Sequence, residues 1–232
     1  MSHSNLSRFG KLAFAALPLA VALLSQSAHA ATVVMDFDSL DTSGGNITGA
    51  PVTNYLASYG VTASNLTSGS SLYVAPVTAN YLVAPSSPNI FTLWGPDANG
   101  NSFTLNFSNQ VSDFSLTRTG FLGAYSPSGN VLGDWTATAY NASNGVLGSI
   151  GEGMIASYSD IPMQTFTLGY QGISSITFSA NAHGWAGVQM PMMDNLTFTT
   201  MTPVPEPETY AMLLAGLGLM GFTARRRKNN AA

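Results

Sequence analysis

Cysteine is absent from this chain, histidine occurs three times, and charged side chains make up only 8% of its 232 residues. Without cysteine there is no disulfide framework, no thiol nucleophile and no thiolate metal site, so stability must come from ordinary core packing. Histidine is nearly as limiting. His3 and His29 lie in the first thirty residues, which leaves His183 for any acid–base or zinc chemistry beyond them. No Gly-x-Ser-x-Gly elbow and no His-Glu-x-x-His pair occurs, so the usual marks of serine hydrolases and zinc proteases are missing. His183 therefore reads as a loop residue beside Trp185, and no catalytic residue is assigned. Positive charge is confined to the ends: Arg8 and Lys11 at one, Arg225, Arg226, Arg227 and Lys228 at the other, with Arg118 alone between. Nine acids share that middle region (Asp36, Asp38, Asp41, Asp97, Asp113, Asp134, Glu152, Asp160 and Asp194), giving it a charge of about −8. Such a body has no cations to replace the counterions of a phosphate backbone, which excludes nucleic acid as a partner.

The two ends are built differently. Arg8 and Lys11 precede the apolar run Leu12 to Leu24, and Ala28-His29-Ala30 follows with small residues at the positions a signal peptidase reads. Residues 1–30 are thus expected to be an N-terminal signal helix, cut after Ala30 with Ala28 and Ala30 as the recognition pair. At the other end, Val204-Pro205-Glu206-Pro207 is followed by an apolar stretch from Thr209 to Ala224 and then Arg225-Arg226-Arg227-Lys228. Sixteen residues of helix span about 24 Å, somewhat less than a hydrocarbon core of roughly 30 Å. The expectation is a short transmembrane helix over 209–224, with the basic residues as a cytoplasmic stop and the body outside. Gly216, Gly218 and Gly221 match a dinucleotide fingerprint only formally, because no strand precedes them and no acid follows.

This tail, 202–228, resembles the PEP-CTERM sorting signal of Gram-negative bacteria. The resemblance implies recognition of Val204, Pro205, Glu206 and Pro207 by an exosortase. It further implies transient anchoring in the inner membrane with the body in the periplasm, transfer to the cell surface or extracellular matrix, and association with exopolysaccharide, biofilm or floc formation.

Residues 31–201 are expected to form one all-β domain. Short runs alternate apolar and polar residues: Thr32 to Phe37, Ser102 to Phe107, Val111 to Leu116, Trp135 to Tyr140, Gln164 to Leu168, Ile173 to Phe178 and Leu196 to Phe198. Alternation at period two puts one face inward and one outward. Turn residues separate the runs, as in Asn141-Ala-Ser-Asn-Gly145. An antiparallel two-sheet sandwich follows, with a short helical turn from Asn54 to Tyr59. The order Phe37-Asp38-Ser39-Leu40, Tyr59-Gly60-Val61 and finally Asp194-Asn195-Leu196-Thr197-Phe198 resembles the jelly-roll (galactose-binding-like) domains found ahead of PEP-CTERM tails.

Two kinds of site remain to be placed. Asp36 and Asp38 on the first strand, with Asp194 on the last, are candidate ligands for structural calcium, which takes several oxygen donors. Trp94 and Trp185, beside glycines, are candidate aromatic platforms for polysaccharide, whereas Trp135 reads as core. The expected function is that of a non-enzymatic envelope or matrix protein that binds carbohydrate. The alternatives are a polysaccharide hydrolase using paired carboxylates and a purely structural surface module.

Overall fold

In the computed structural model, the described residues are 30–77, 82–94, 100–121, 134–155, 160–181 and 190–201, with Leu214, 216–218 and Met220. Thirteen strands and one helix occur among those of the body: β1 (Ala31–Met35), β2 (Ile47–Thr48), α1 (Ala50–Ser58), β3 (Val61–Ser64), β4 (Ser71–Pro76), β5 (Leu82–Val83), β6 (Asn89–Trp94), β7 (Asn101–Arg118), β8 (Gly120–Phe121), β9 (Trp135–Tyr140), β10 (Val146–Glu152), β11 (Gln164–Leu168), β12 (Ile173–Ala180) and β13 (Met193–Thr200). The body, Ala30–Met201, is one compact unit. It is mostly β and its strand pairs are antiparallel, as the alternation predicted.

β7 organises the body. Its first half pairs with β12 and β3, and its second half pairs with β11 and β13. Eighteen residues would reach about 60 Å if straight. Yet Arg118 at its end bonds Glu152 on β10, and β10 belongs to the same β10-β9-β12 layer that starts beside Asn101. β7 therefore folds back, and it does so at Ser108, Asn109 and Gln110, three polar, exposed residues. The sequence reads this stretch as two strands for the same reason.

Folding β7 back makes the two layers face one another. Phe103 on the first layer meets Phe91 of β6 edge-on at 6.1 Å, Phe107 meets Phe198 at 5.1 Å, and Trp135 meets Phe166 at 4.9 Å. Each fully buried ring contributes about 1.5–3 kcal/mol through loss of apolar surface from water, and edge contacts add roughly 0.5–1.5 kcal/mol. Alternation is clean in β9, where Trp135, Ala137 and Ala139 are buried and Thr136 and Thr138 face outward. It fails in β6, where residues 89–93 are all buried. Ile90 points into a second, smaller cluster with Ala75, Leu82, Phe121, Ile161 and Met192, while Phe91 and Leu93 join the main core. A strand packed on both faces has no period-two signal, and β6 was not foreseen.

The expected helical turn at Asn54–Tyr59 is a nine-residue helix that begins earlier, at Ala50. Pro51 suits the first turn, where its missing N–H has no partner to lose. Val52, Tyr55 and Leu56, spaced three and four apart on one face, are buried. Gly60, at φ 71°, ends it, and a Cβ there would collide with Ser108 Oγ.

β1 runs along β13 with Ala31 opposite Thr200, so the body begins and ends at one place. The signal segment lies outside the described residues, apart from the exposed Ala30. Of the C-terminal segment, Leu214, 216–218 and Met220 are helical and exposed; the rest of the expected transmembrane helix lies outside the described residues. Among the described residues no helix is long and apolar enough to cross a membrane.

Candidate functional site

The first candidate region is the turn after β1. Phe37 adopts φ 61° and its N–H donates to Tyr55 Oη at 2.9 Å. Tyr55 in turn donates to Asp36 Oδ1 at 3.3 Å. Burial pushes the Tyr55 hydroxyl pKa far up, so it stays a donor. The centre of the turn is held by Asn89, which is fully buried. Its Nδ2 donates to Phe37 O and Leu40 O, both at 2.8 Å, while its Oδ1 accepts from Thr42 Oγ1 at 2.6 Å. Its backbone N–H donates to Asp38 Oδ1 at 3.0 Å. One amide side chain thus uses both donors and its acceptor on a single turn. Outside this turn a cleft of about 630 Å³ is lined by Asp38, Asp41, Thr42, Ser43, Pro76 and Pro88 among others. Exposed Asp41 is held below the usual carboxylate range by hydrogen bonds from Ser43.

Asp194, the second residue of β13, is fully buried. Its Oδ2 accepts from Ser86 N at 2.9 Å and Ser86 Oγ at 2.8 Å, and its Oδ1 from Asn195 N at 2.6 Å. Burial raises its pKa, the three donors oppose that rise, and the charge of Asp38 adds to it. The first and last strands do lie side by side, as expected. The calcium set expected at Asp36, Asp38 and Asp194 does not form, however, because no group of three or more metal-binding side chains occurs among the described residues. Asp36 is turned to Tyr55 and to Asp38 N. The two carbonyls that could face a cation instead receive the Asn89 amide.

The second region is a pocket of about 280 Å³ at the ends of β9, β10 and β12, lined by Asp134, Trp135, Thr136, Gly151, Glu152, Gly153, Ser179 and Asn181. Arg118 lies beneath it, 5% exposed. Its Nε and Nη2 bind the two oxygens of Glu152 at 3.0 and 2.7 Å, and its Nη1 donates to Thr119 O and Pro162 O, each at 2.8 Å. Trp135 Nε1 adds a third donor to Glu152 at 3.4 Å. This fork-on-fork pairing fixes the plane of the carboxylate as well as its position. Gly151 allows β10 to pass close to β9, since a Cβ there would run into Trp135 O.

Trp135 is buried as expected. Trp94 closes β6, but its side chain lies outside the described residues, as do Trp185, His183, Ala28, Val204, Pro205, Glu206, Pro207, Arg225, Arg226, Arg227 and Lys228. Sequence reasoning overlooked Asn89, Ser86 and the Arg118–Glu152 pair. A signal existed for the last: a lone cation in an acidic body must find an acid if its strand is buried.

An antiparallel β-sandwich body thus precedes a separate C-terminal segment. Residues 203–228 of that segment match the PEP-CTERM protein-sorting motif. This motif implies exosortase processing of an exported, surface-sorted protein. Among curated proteins none matches the chain. Among solved structures, the body is similar to the lectin-binding domain of lectinolysin (a histidine mutant complexed with Lewis b), with TM-score 0.32 and 4% identity over 62% of this chain and 92% of that one. It is also similar to the arabinose-bound MgGH51 α-L-arabinofuranosidase, with TM-score 0.39 and 14% identity over 72% of this chain and 26% of that one.

Proposed function

We propose that this is an exosortase-processed protein of the cell envelope or extracellular matrix, whose jelly-roll-type body binds polysaccharide and catalyses no reaction. The observation that carries the reading is the sorting motif over 203–228. It joins a cysteine-free, acidic body that has one basic residue. The association with exopolysaccharide follows from the motif's resemblance, and the polar pocket around Glu152 supplies a place for hydroxyl-rich ligands. Absence of catalysis is supported by the state of Glu152. A general acid in glycoside hydrolysis must carry and release a proton, whereas both oxygens of Glu152 are tied to a guanidinium.

A glycan array probed with the purified chain, with and without EDTA, tests the binding half. Binding that survives EDTA is expected, because the Asn89 side chain holds the turn after β1 through three hydrogen bonds. Release of reducing sugar by the wild-type chain, lost in Glu152→Gln, would instead support the hydrolase reading and overturn this one.

A further inference from the structure

We propose that the pocket between β9, β10 and β12 holds one neutral sugar residue, with Glu152 as the fixed hydrogen-bond acceptor at its floor; this rests on the polysaccharide-binding reading above. The argument begins with charge. Arg118 is the sole cation between Lys11 and Arg225, and its guanidinium is directed to Glu152 and to two backbone carbonyls. Among the described residues no second cation borders the pocket, while Asp134 and Glu152 both do. Uronates, sulfated sugars and phosphates would therefore meet two carboxylates and one guanidinium that is already turned to Glu152. A neutral polyol meets no such repulsion.

Geometry points to a sugar among neutral ligands. Glu152 accepts from Arg118 and Trp135, which are 5% and 2% exposed, while Glu152 itself borders the pocket. A carboxylate offers about four acceptor directions, so a direction beyond the three donors from the protein remains for a ligand hydroxyl. Beside it Thr136 and Ser179 stand opposite each other in the β9–β12 register, their hydroxyls 3.5 Å apart. Asn181 follows directly after β12. Hydroxyl, amide and carboxylate groups in a row suit the mixed donor and acceptor pattern of vicinal sugar hydroxyls.

Preorganisation supplies the reason for the ion pair. A buried pair contributes little net stability, because desolvation offsets its Coulomb attraction. What it does supply is a carboxylate locked in one orientation before a ligand arrives, which lowers the entropy cost of binding. The volume, about 280 Å³, lies near the lower end of ligand pockets, so it suits a single residue of a longer chain.

Isothermal titration of the full chain in detergent with a panel of neutral hexaoses (cellohexaose, mannohexaose and galactohexaose) and with oligogalacturonate tests this. At least one neutral hexaose should bind and oligogalacturonate should not. Asn181→Ala and Glu152→Gln should each weaken that binding at least tenfold, and Asp41→Asn, on the other cleft, should leave it unchanged. Asn181→Ala removes no part of the ion pair, so it keeps the test valid where Glu152→Gln fails to fold. Neutral sugar binding untouched by Asn181→Ala would place the site elsewhere and overturn this inference while leaving the broader reading intact. Binding of no glycan would overturn both. Preferred binding of oligogalacturonate, or calcium binding lost in Glu152→Gln, would also overturn the assignment.

Discussion

Single side chains at the head of the body carry unusual responsibility. Asn89 makes four hydrogen bonds to the turn after β1, two of them to the carbonyls of Phe37, which also accepts from Leu40 N, and of Leu40. Asn89→Ala takes the partner from the Leu40 carbonyl and from the buried Thr42 hydroxyl, and each unsatisfied group costs about 1–3 kcal/mol. A loss of roughly 3 kcal/mol in urea denaturation is expected, and EDTA should not alter it. Asp194 works in the opposite sense. Its folded pKa lies above the unfolded value of 3.8, so the native state holds its proton more tightly. Its contribution is fully present below pH 3.8 and is lost as pH rises through the folded pKa. The stability of the wild type relative to Asp194→Asn should therefore increase as pH is lowered from 7 toward 4. Urea midpoints measured at several pH values will show this, and a constant difference would mean that Asp194 is not perturbed in the fold.

Elements show where sequence was sufficient and where it was not. β9 and β11 appear within the limits expected from alternation, because each buries one face and exposes the other. β6 escaped because both of its faces are covered, and β10 escaped because two glycines break its pattern. The first and last strands pair as expected, and the charge of Asp38 acts on Asp194. Asp38 instead accepts from the backbone N–H of Asn89, 51 residues on, a partner that no local spacing announces. Two glycines, Gly151 in β10 and Gly153 just after it, make a direct comparison. Gly151→Ala sets a Cβ against the backbone of β9, whereas Gly153→Ala meets nothing within 4 Å. The first should cost about 1–3 kcal/mol, as overpacking does, and the second should be within about 0.5 kcal/mol of wild type. Arg118→Met should cost more, up to about 3 kcal/mol, since it leaves the half-buried Glu152 without its counter-charge. Thermal melts of the three variants give the order directly.

At the scale of the whole molecule, two parts divide the work. The body, Ala30–Met201, holds its first and last strands together through the Ala31–Thr200 register. The sorting motif follows at 203–228, so address and body are joined by a very short stretch of chain. Destination is thereby separated from the body's own chemistry. Replacing Pro205, Glu206 and Pro207 with alanine should abolish surface sorting and leave the folding of the body unchanged by circular dichroism. The central claim is that an exosortase removes the tail. Intact-mass analysis of the protein recovered from the surface of cells with and without the exosortase tests it most directly. Cells with the enzyme should yield a species that lacks Arg225 to Lys228, and cells without it a species that retains them. Recovery of the intact basic tail from the surface of both would contradict the account.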